Sequence, residues 1–374
     1  MRQSFELTGL DGSNPLGFLA ALGTLVSVDP FGEGVAQLRW KRSTRWRPVL
    51  EGIEADSKQK LAEVVAKSVR GTVVSKDREL SRANAEKAME QAKTAVKKKR
   101  DELKARGLRG SERAQAEERE LGPLERAYQE KRLQWLEALR AAVPRPELAL
   151  GKSIDCTSDE YREHAEALAT NAGRSNREAL DMLAAFGSDA VLHRNQDRIA
   201  ATPFCFTTGS GKQYFLDTAR QLIGKVSEEA VYRTLFEPWD YRDEGLSMRW
   251  DPVEDRRYAL LDRDPSGESV RTMWMANLLA YRALALFPAA PVGGRLEVTG
   301  WDPNHEKFTW PLWEAPLVLD VVRCLLQLRE LVEEEPNASI LRARGIITAY
   351  RAARIEVGSG TNKKLNFAPA KRVF

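Results

Sequence analysis

The segment from Ser75 to Arg140 constrains the fold most: it is built almost wholly of Ala, Glu, Lys, Arg, Gln and Leu, the good helix formers. Arg106-Gly107-Leu108-Arg109-Gly110 interrupts it, and Pro144 and Pro146 follow it. Two long helices joined by a short turn are the expected outcome. Apolar residues are sparse in the first half (Leu80, Ala85, Met89, Ala92, Val96, Leu103) and denser in the second (Leu121, Leu124, Tyr128, Leu133, Trp135, Leu136, Leu139). That pattern predicts an antiparallel helical hairpin, a coiled-coil arm inserted into a larger body, rather than a core element. The boundaries read as 1–74 for an N-terminal α+β part, 75–145 for the insertion, and 146–374 for a C-terminal part that packs with 1–74.

The flanking sequence is mixed. SFELTGL reads as a strand, Asp11-Gly12-Ser13-Asn14-Pro15 as a turn, and LGFLAALGTLVSV as an apolar helix. Asn14 suits the N-cap and Pro15 the first helical position, where a missing N–H costs nothing. Gly17, Ala20, Ala21 and Gly23 recur at three- and four-residue spacings, so another element should approach this helix closely. VAQLRW alternates as a strand does. Further helices are expected over 158–169, 177–186, SEEAVYRTLF and MANLLAYRALALF, with strand pieces at 153–157, in MRWDPVEDRRYALL and in RLEVTGW. Irregular alternation of helix and strand predicts an α+β body rather than a doubly wound sheet.

Charge is unevenly spread. The 374 residues carry 58 Lys and Arg against 54 Asp and Glu. From Lys76 to Arg140 there are 18 basic and 13 acidic residues, so the excess of five sits in one segment and the remainder is close to neutral. Within it Lys97, Lys98, Lys99 and Arg100, next to Arg106 and Arg109, form a concentrated positive tip of the arm, which reads either as phosphate contacts or as a solvated helix face. Between Ala36 and Leu50 five basic residues (Arg39, Lys41, Arg42, Arg45, Arg47) meet no acid. Trp40 and Trp46 interleave with them, positioned either to stack on bases or to serve as core residues of a strand edge. From Ser339 to the end, Arg342, Arg344, Arg351, Arg354, Lys363, Lys364, Lys371 and Arg372 face one acid, Glu356, and read as a basic tail.

Motifs for catalysis fare poorly. Thr208-Gly209-Ser210-Gly211-Lys212 invites a phosphate-loop reading, but Phe206 stands where that motif needs its first glycine and Gln213 where it needs Ser or Thr. A nucleic-acid phosphate near Lys212, or a plain connecting turn, remains. His164, His193 and His305 lack ligand spacing, and Cys156, Cys205 and Cys324 form neither a disulfide framework nor a thiolate site, as expected of a chain in the cytoplasm. Asp251, Glu254 and Asp255 could hold magnesium in a nuclease; the simpler reading is neutralisation by Arg249, Arg256 and Arg257 at the surface. No cofactor, metal or membrane segment is expected.

Four stretches, LTGLDGSNPLGFLAALGTL, TPFCFTTGSGKQYFLDT, RWDPVEDRRYALLDRDPS and FTWPLWEAPLVLDVVRCLL, resemble the large-subunit-like proteins of CRISPR type I-G (formerly I-U) interference complexes. The charged segment 75–140 lies outside that resemblance. The resemblance implies a non-catalytic subunit of an RNA-guided antiviral complex that touches crRNA or target DNA and neighbouring subunits, with cleavage left to a separate helicase-nuclease. Base pairing then reads the target while protein reads duplex shape and a short flanking motif. Two other classes stay open: a coiled-coil interaction scaffold without nucleic acid, and a metal-dependent nuclease.

Overall fold

Asn14 starts the first helix as its sequence requires: its backbone is extended, and its side-chain oxygen accepts from Gly17 N at 3.1 Å, with Pro15 at the first position. The helix Pro15–Val28 is buried from Pro15 through Ser27, because elements surround it rather than flank it. It packs on the helix Trp274–Ala283 so closely that a Cβ at Gly23 would lie 1.7 Å from the Leu279 carbonyl oxygen. Gly17, Ala20 and Ala21 are buried, as their small size foretold.

This computed structural model describes residues 3–30, 33–170, 173–193, 197–207, 213–254, 271–357 and 364–374. Lys212, Lys363, Asp255 and the glycine turn 208–211 lie outside them. Helices and antiparallel strands in several small sheets make a mixed α+β chain. It divides into two units, Met1–Gly71 with Lys152–Phe374, and Thr72–Gly151.

In the larger unit one four-stranded antiparallel sheet runs in the order Gln3–Glu6, Trp46–Ile53, Gln37–Arg42, Leu317–Val318. A second is centred on Ile346–Val357, which pairs with Lys307–Trp313 in a register that sets Trp310 opposite Tyr350 and Phe308 opposite Ala352. Lys364–Phe367 and Lys371–Arg372 add to the same long strand. Between them lies an aromatic core: Phe18 stacks on Trp40 and Trp310 at 5.7 and 5.8 Å, and Phe204 meets Phe308 at 5.0 Å and Trp250 at 6.1 Å.

Three expectations are corrected. The described residues from 339 onwards are not a tail: they belong to a short helix and three strands, and the longest strand buries Ile346, Thr348, Ala349 and Ala352 in the core. Residues 248–254 hold no strand, since Pro252 opens a 3-10 turn whose Val253 N–H is taken by the Asp251 side chain. Residues 153–157 form no strand either; there Cys156 O accepts from Ile199 N.

The smaller unit is helical. Ser75 caps Lys76–Ala105, Asp77 and Glu79 occupy its first turn, and Gly107 and Gly110, both at positive φ, turn the chain. Gly110–Ala116 runs through a π-helical turn, Glu117–Leu121, into Gly122–Ala141. Pro123, which has no N–H to offer the ladder, explains the widened turn just before it. Met89 packs with Trp135, Leu136 and Leu139, while Val96 and Leu103 pack with Leu121 and Ala116. Rising numbers on one helix meet falling numbers on the other, so the two run antiparallel.

Candidate functional site

The N-terminal motif is the hub of the larger unit. Asp11 Oδ1 accepts from Ser13 N and Oγ at 2.9 and 2.8 Å, closing the turn. Gly12 O accepts from Trp310 Nε1 at 2.8 Å, and a Cβ at Gly12 would lie 2.6 Å from the Trp40 ring. While Asn14 Oδ1 caps the helix, its Nδ2 donates to Asp251 Oδ1 at 3.0 Å. The other Asp251 oxygen accepts from Tyr241 OH at 2.9 Å.

Asp251 is therefore not a neutralised surface acid. It is fully buried, and burial raises its pKa against the opposing hydrogen bonds. Glu254, 6 % exposed, accepts from Ser247 Oγ and from Thr272 Oγ1 at 2.8 Å; burial pushes its carboxyl up to about 7. Burial also lowers the pKa of Arg249, against the pull of Glu254. The arginines of the surrounding sequence suggested a surface, and that suggestion misled; the adjacent Trp250, fully buried, was the signal for burial. Above this network opens a cleft of about 810 Å³ lined by Thr8, Ser13, Arg45, Trp239 and Tyr241 among others. Among the described residues no group of three His, Cys, Asp or Glu side chains is placed to hold a metal.

The candidate cations divide into those spent on structure and those presented to solvent. In the first patch Arg39 pairs with Glu51 at 2.6 Å and Arg47 Nη1 donates to Leu10 O at 2.6 Å. Arg42 is exposed and lies over the Trp46 ring at 5.9 Å; Arg45 is exposed with Asp11 at 4.0 Å. Trp40 and Trp46 are both buried, which withdraws Trp46 as a base-stacking surface. Near the C-terminus Arg351 has its donors spent: Nε on Thr309 Oγ1 at 2.9 Å and Nη1 on Glu334 O at 3.0 Å, with burial lowering its pKa. Arg354 is half-buried over the Trp301 ring at 5.8 Å, Arg344 pairs with Glu330 at 2.7 Å, and Lys364 is half-buried. Arg342 is exposed beside the Phe374 ring.

In the helical unit Lys99 pairs with Glu102 at 2.8 Å, Arg100 with Glu125 at 2.9 Å and Arg106 with Glu120 at 2.9 Å. Lys97, Lys98 and Arg109 are exposed and have no carboxylate within 4.0 Å among the described residues. Between its two long helices lies an open groove of about 1010 Å³, which Lys93, Lys97, Arg100, Glu125, Arg126 and Tyr128 help to line. Lys93 and Arg126 were not singled out in the sequence; Lys93, Lys97, Arg100 and Lys104 follow a one-face helical spacing that could have shown Lys93, whereas Arg126 lies on the other helix and has no such signal. Compared with known protein families and with curated proteins, the chain matches none.

Proposed function

We propose that this chain is a non-catalytic subunit of a type I-G CRISPR interference complex, contacting crRNA or target DNA through phosphates and contacting neighbouring subunits in the cytoplasm. Cleavage then belongs to a separate helicase-nuclease. One observation carries the reading: the four stretches that resemble the family share a single core. Asn14 bonds to Asp251, Trp310 Nε1 to Gly12 O, and Trp250 Nε1 to Phe204 O at 3.0 Å, so the first stretch meets the third and fourth, and the third meets the second. A resemblance scattered along the chain thus describes one folded object. Exposed cations without carboxylate partners supply the phosphate contacts. Arg42 lies on the body and Lys97, Lys98 and Arg109 on the helical unit.

The test is recovery of the tagged chain from its native host, with sequencing of any bound RNA and identification of co-purifying proteins. CRISPR repeat-derived RNA together with other effector subunits is the expected result. Protein partners without nucleic acid would replace this reading with the scaffold, and magnesium-dependent cleavage by the purified chain would replace it with the nuclease.

A further inference from the structure

We infer that the groove between Lys76–Ala105 and Gly122–Ala141 seats a single nucleic-acid strand, with Lys93, Lys97 and Arg126 as its phosphate contacts. This rests on the nucleic-acid reading above and adds a site to it. Lys93 and Lys97 stand one turn apart on one wall, a rise of about 6 Å. Arg126 stands on the other wall, and Tyr128, half-buried, lies in the lining between them. None of the three cations has a carboxylate within 4.0 Å among the described residues, whereas Arg100 is tied across the groove to Glu125 at 2.9 Å. Arg100 is thus committed to Glu125, and the other three cations remain for a ligand.

The occupant follows from the walls. Both are helices, whose backbone groups are spent within their own ladders, so an extended peptide finds no strand edge to pair with. Cations on both walls instead match the phosphates of a nucleic-acid strand, and Tyr128, packed against the apolar clusters of both helices but only half-buried, leaves part of its side chain in the lining, where a base outside a duplex can reach it.

The experiment uses the full chain and a fluorescent oligo(U) or oligo(dT) strand, with affinity measured across a salt series. Replacing all three cations (Lys93→Gln, Lys97→Gln, Arg126→Gln) should weaken binding at least tenfold at low salt. It should also reduce the slope of log affinity against log salt by about 2, near 0.7 for each contact to a single strand. Removing the same charge elsewhere on the first helix, by Lys76→Gln, Arg78→Gln and Lys87→Gln, should change the slope by less than about 1. Crosslinks from a 4-thiouridine strand to the unaltered protein should map to residues 93–97 and 126–129, a readout independent of how the variants fold. If the chain binds the strand but the groove variant does so equally well, or crosslinks map elsewhere, the groove inference falls and the nucleic-acid reading stands. If the unaltered chain binds no strand at any salt, both fall. Equal or tighter binding of a polyglutamate peptide in the groove would overturn the inference in favour of an acidic protein partner.

Discussion

Asn14 performs two tasks with one side chain: its oxygen caps the first helix, and its amide nitrogen holds Asp251, 237 positions away. Residues such as this tie local folding to the core, and Gly23 is another. Alanine at Gly23 gains up to about 1 kcal/mol of helix propensity. Against it stands a Cβ 1.7 Å from the Leu279 backbone oxygen, which no side-chain rotation relieves. Overpacking of this kind costs about 1 to 3 kcal/mol, so Gly23→Ala should lower the midpoint of chemical denaturation despite the better helix former, as should Ala20→Leu. An unchanged midpoint would mean that the two helices separate at little cost. Glu254 makes a different prediction. Its pKa, about 7 in the folded chain against an ordinary 4.5, means that the native state holds a proton the unfolded chain releases. This group therefore contributes stability below pH 4.5 that is lost as pH rises to about 7. Glu254→Gln should gain on the unaltered protein across that window by up to about 3 kcal/mol, measured as the difference between two stability-against-pH curves. Parallel curves would show that the carboxyl is not buried.

At the scale of elements, the helical unit is held by two small apolar clusters and a set of exposed ion pairs, and the clusters dominate. Leu139 is fully buried with Met89, Trp135 and Leu136, so Leu139→Ala should cost about 2 to 5 kcal/mol. The Arg100–Glu125 pair is solvent-exposed and screened, and Arg100→Ala should cost less than about 1 kcal/mol. Hydrogen exchange read over residues 76–141 would separate the two: the leucine variant should lose protection along both helices, and the arginine variant should not. The same reasoning reassigns the C-terminal arginines. Arg351 donates to the backbone carbonyls of Leu331, Glu333 and Glu334 and to Thr309 Oγ1, so replacing it should loosen the second sheet rather than change a salt slope.

For the molecule as a whole, net charge is a poor guide to binding because so many cations are committed internally. Arg39, Lys99, Arg100, Arg106 and Arg344 pair with carboxylates, and Arg47 and Arg351 serve backbone carbonyls. The exposed cations with no carboxylate within 4.0 Å among the described residues are a smaller set that includes Arg42, Lys93, Lys97, Lys98, Arg109 and Arg126, and on the proposed reading these are the ones that meet phosphate. Nucleic-acid affinity should fall steeply with salt and show little sequence preference. Arg42→Gln with Arg45→Gln should lower the salt slope by about 1 to 2, while Arg39→Gln should leave it unchanged. The reverse ranking, measured by anisotropy titration, would show that pairing in the folded chain does not govern which cations meet phosphate.

What the sequence determined by itself are features whose causes act within a few residues. Asn14-Pro15 announced a helix start, Ser75 and the glycines at 107 and 110 bounded the first long helix, and small residues in the first helix announced a close neighbour. Capping, propensity and periodicity need no distant partner. Tertiary structure alone decided which charges are free and which acids are buried. Asp251 looked like a surface acid because its sequence neighbours are arginines, yet its real neighbours are Asn14, Tyr241 and Asn366. The C-terminal stretch looked like a basic tail because charge is legible residue by residue, whereas its pairing with Lys307–Trp313 is not. Burial and ion pairing depend on which residues meet across the fold, and residues distant in sequence meet only when the whole chain has packed.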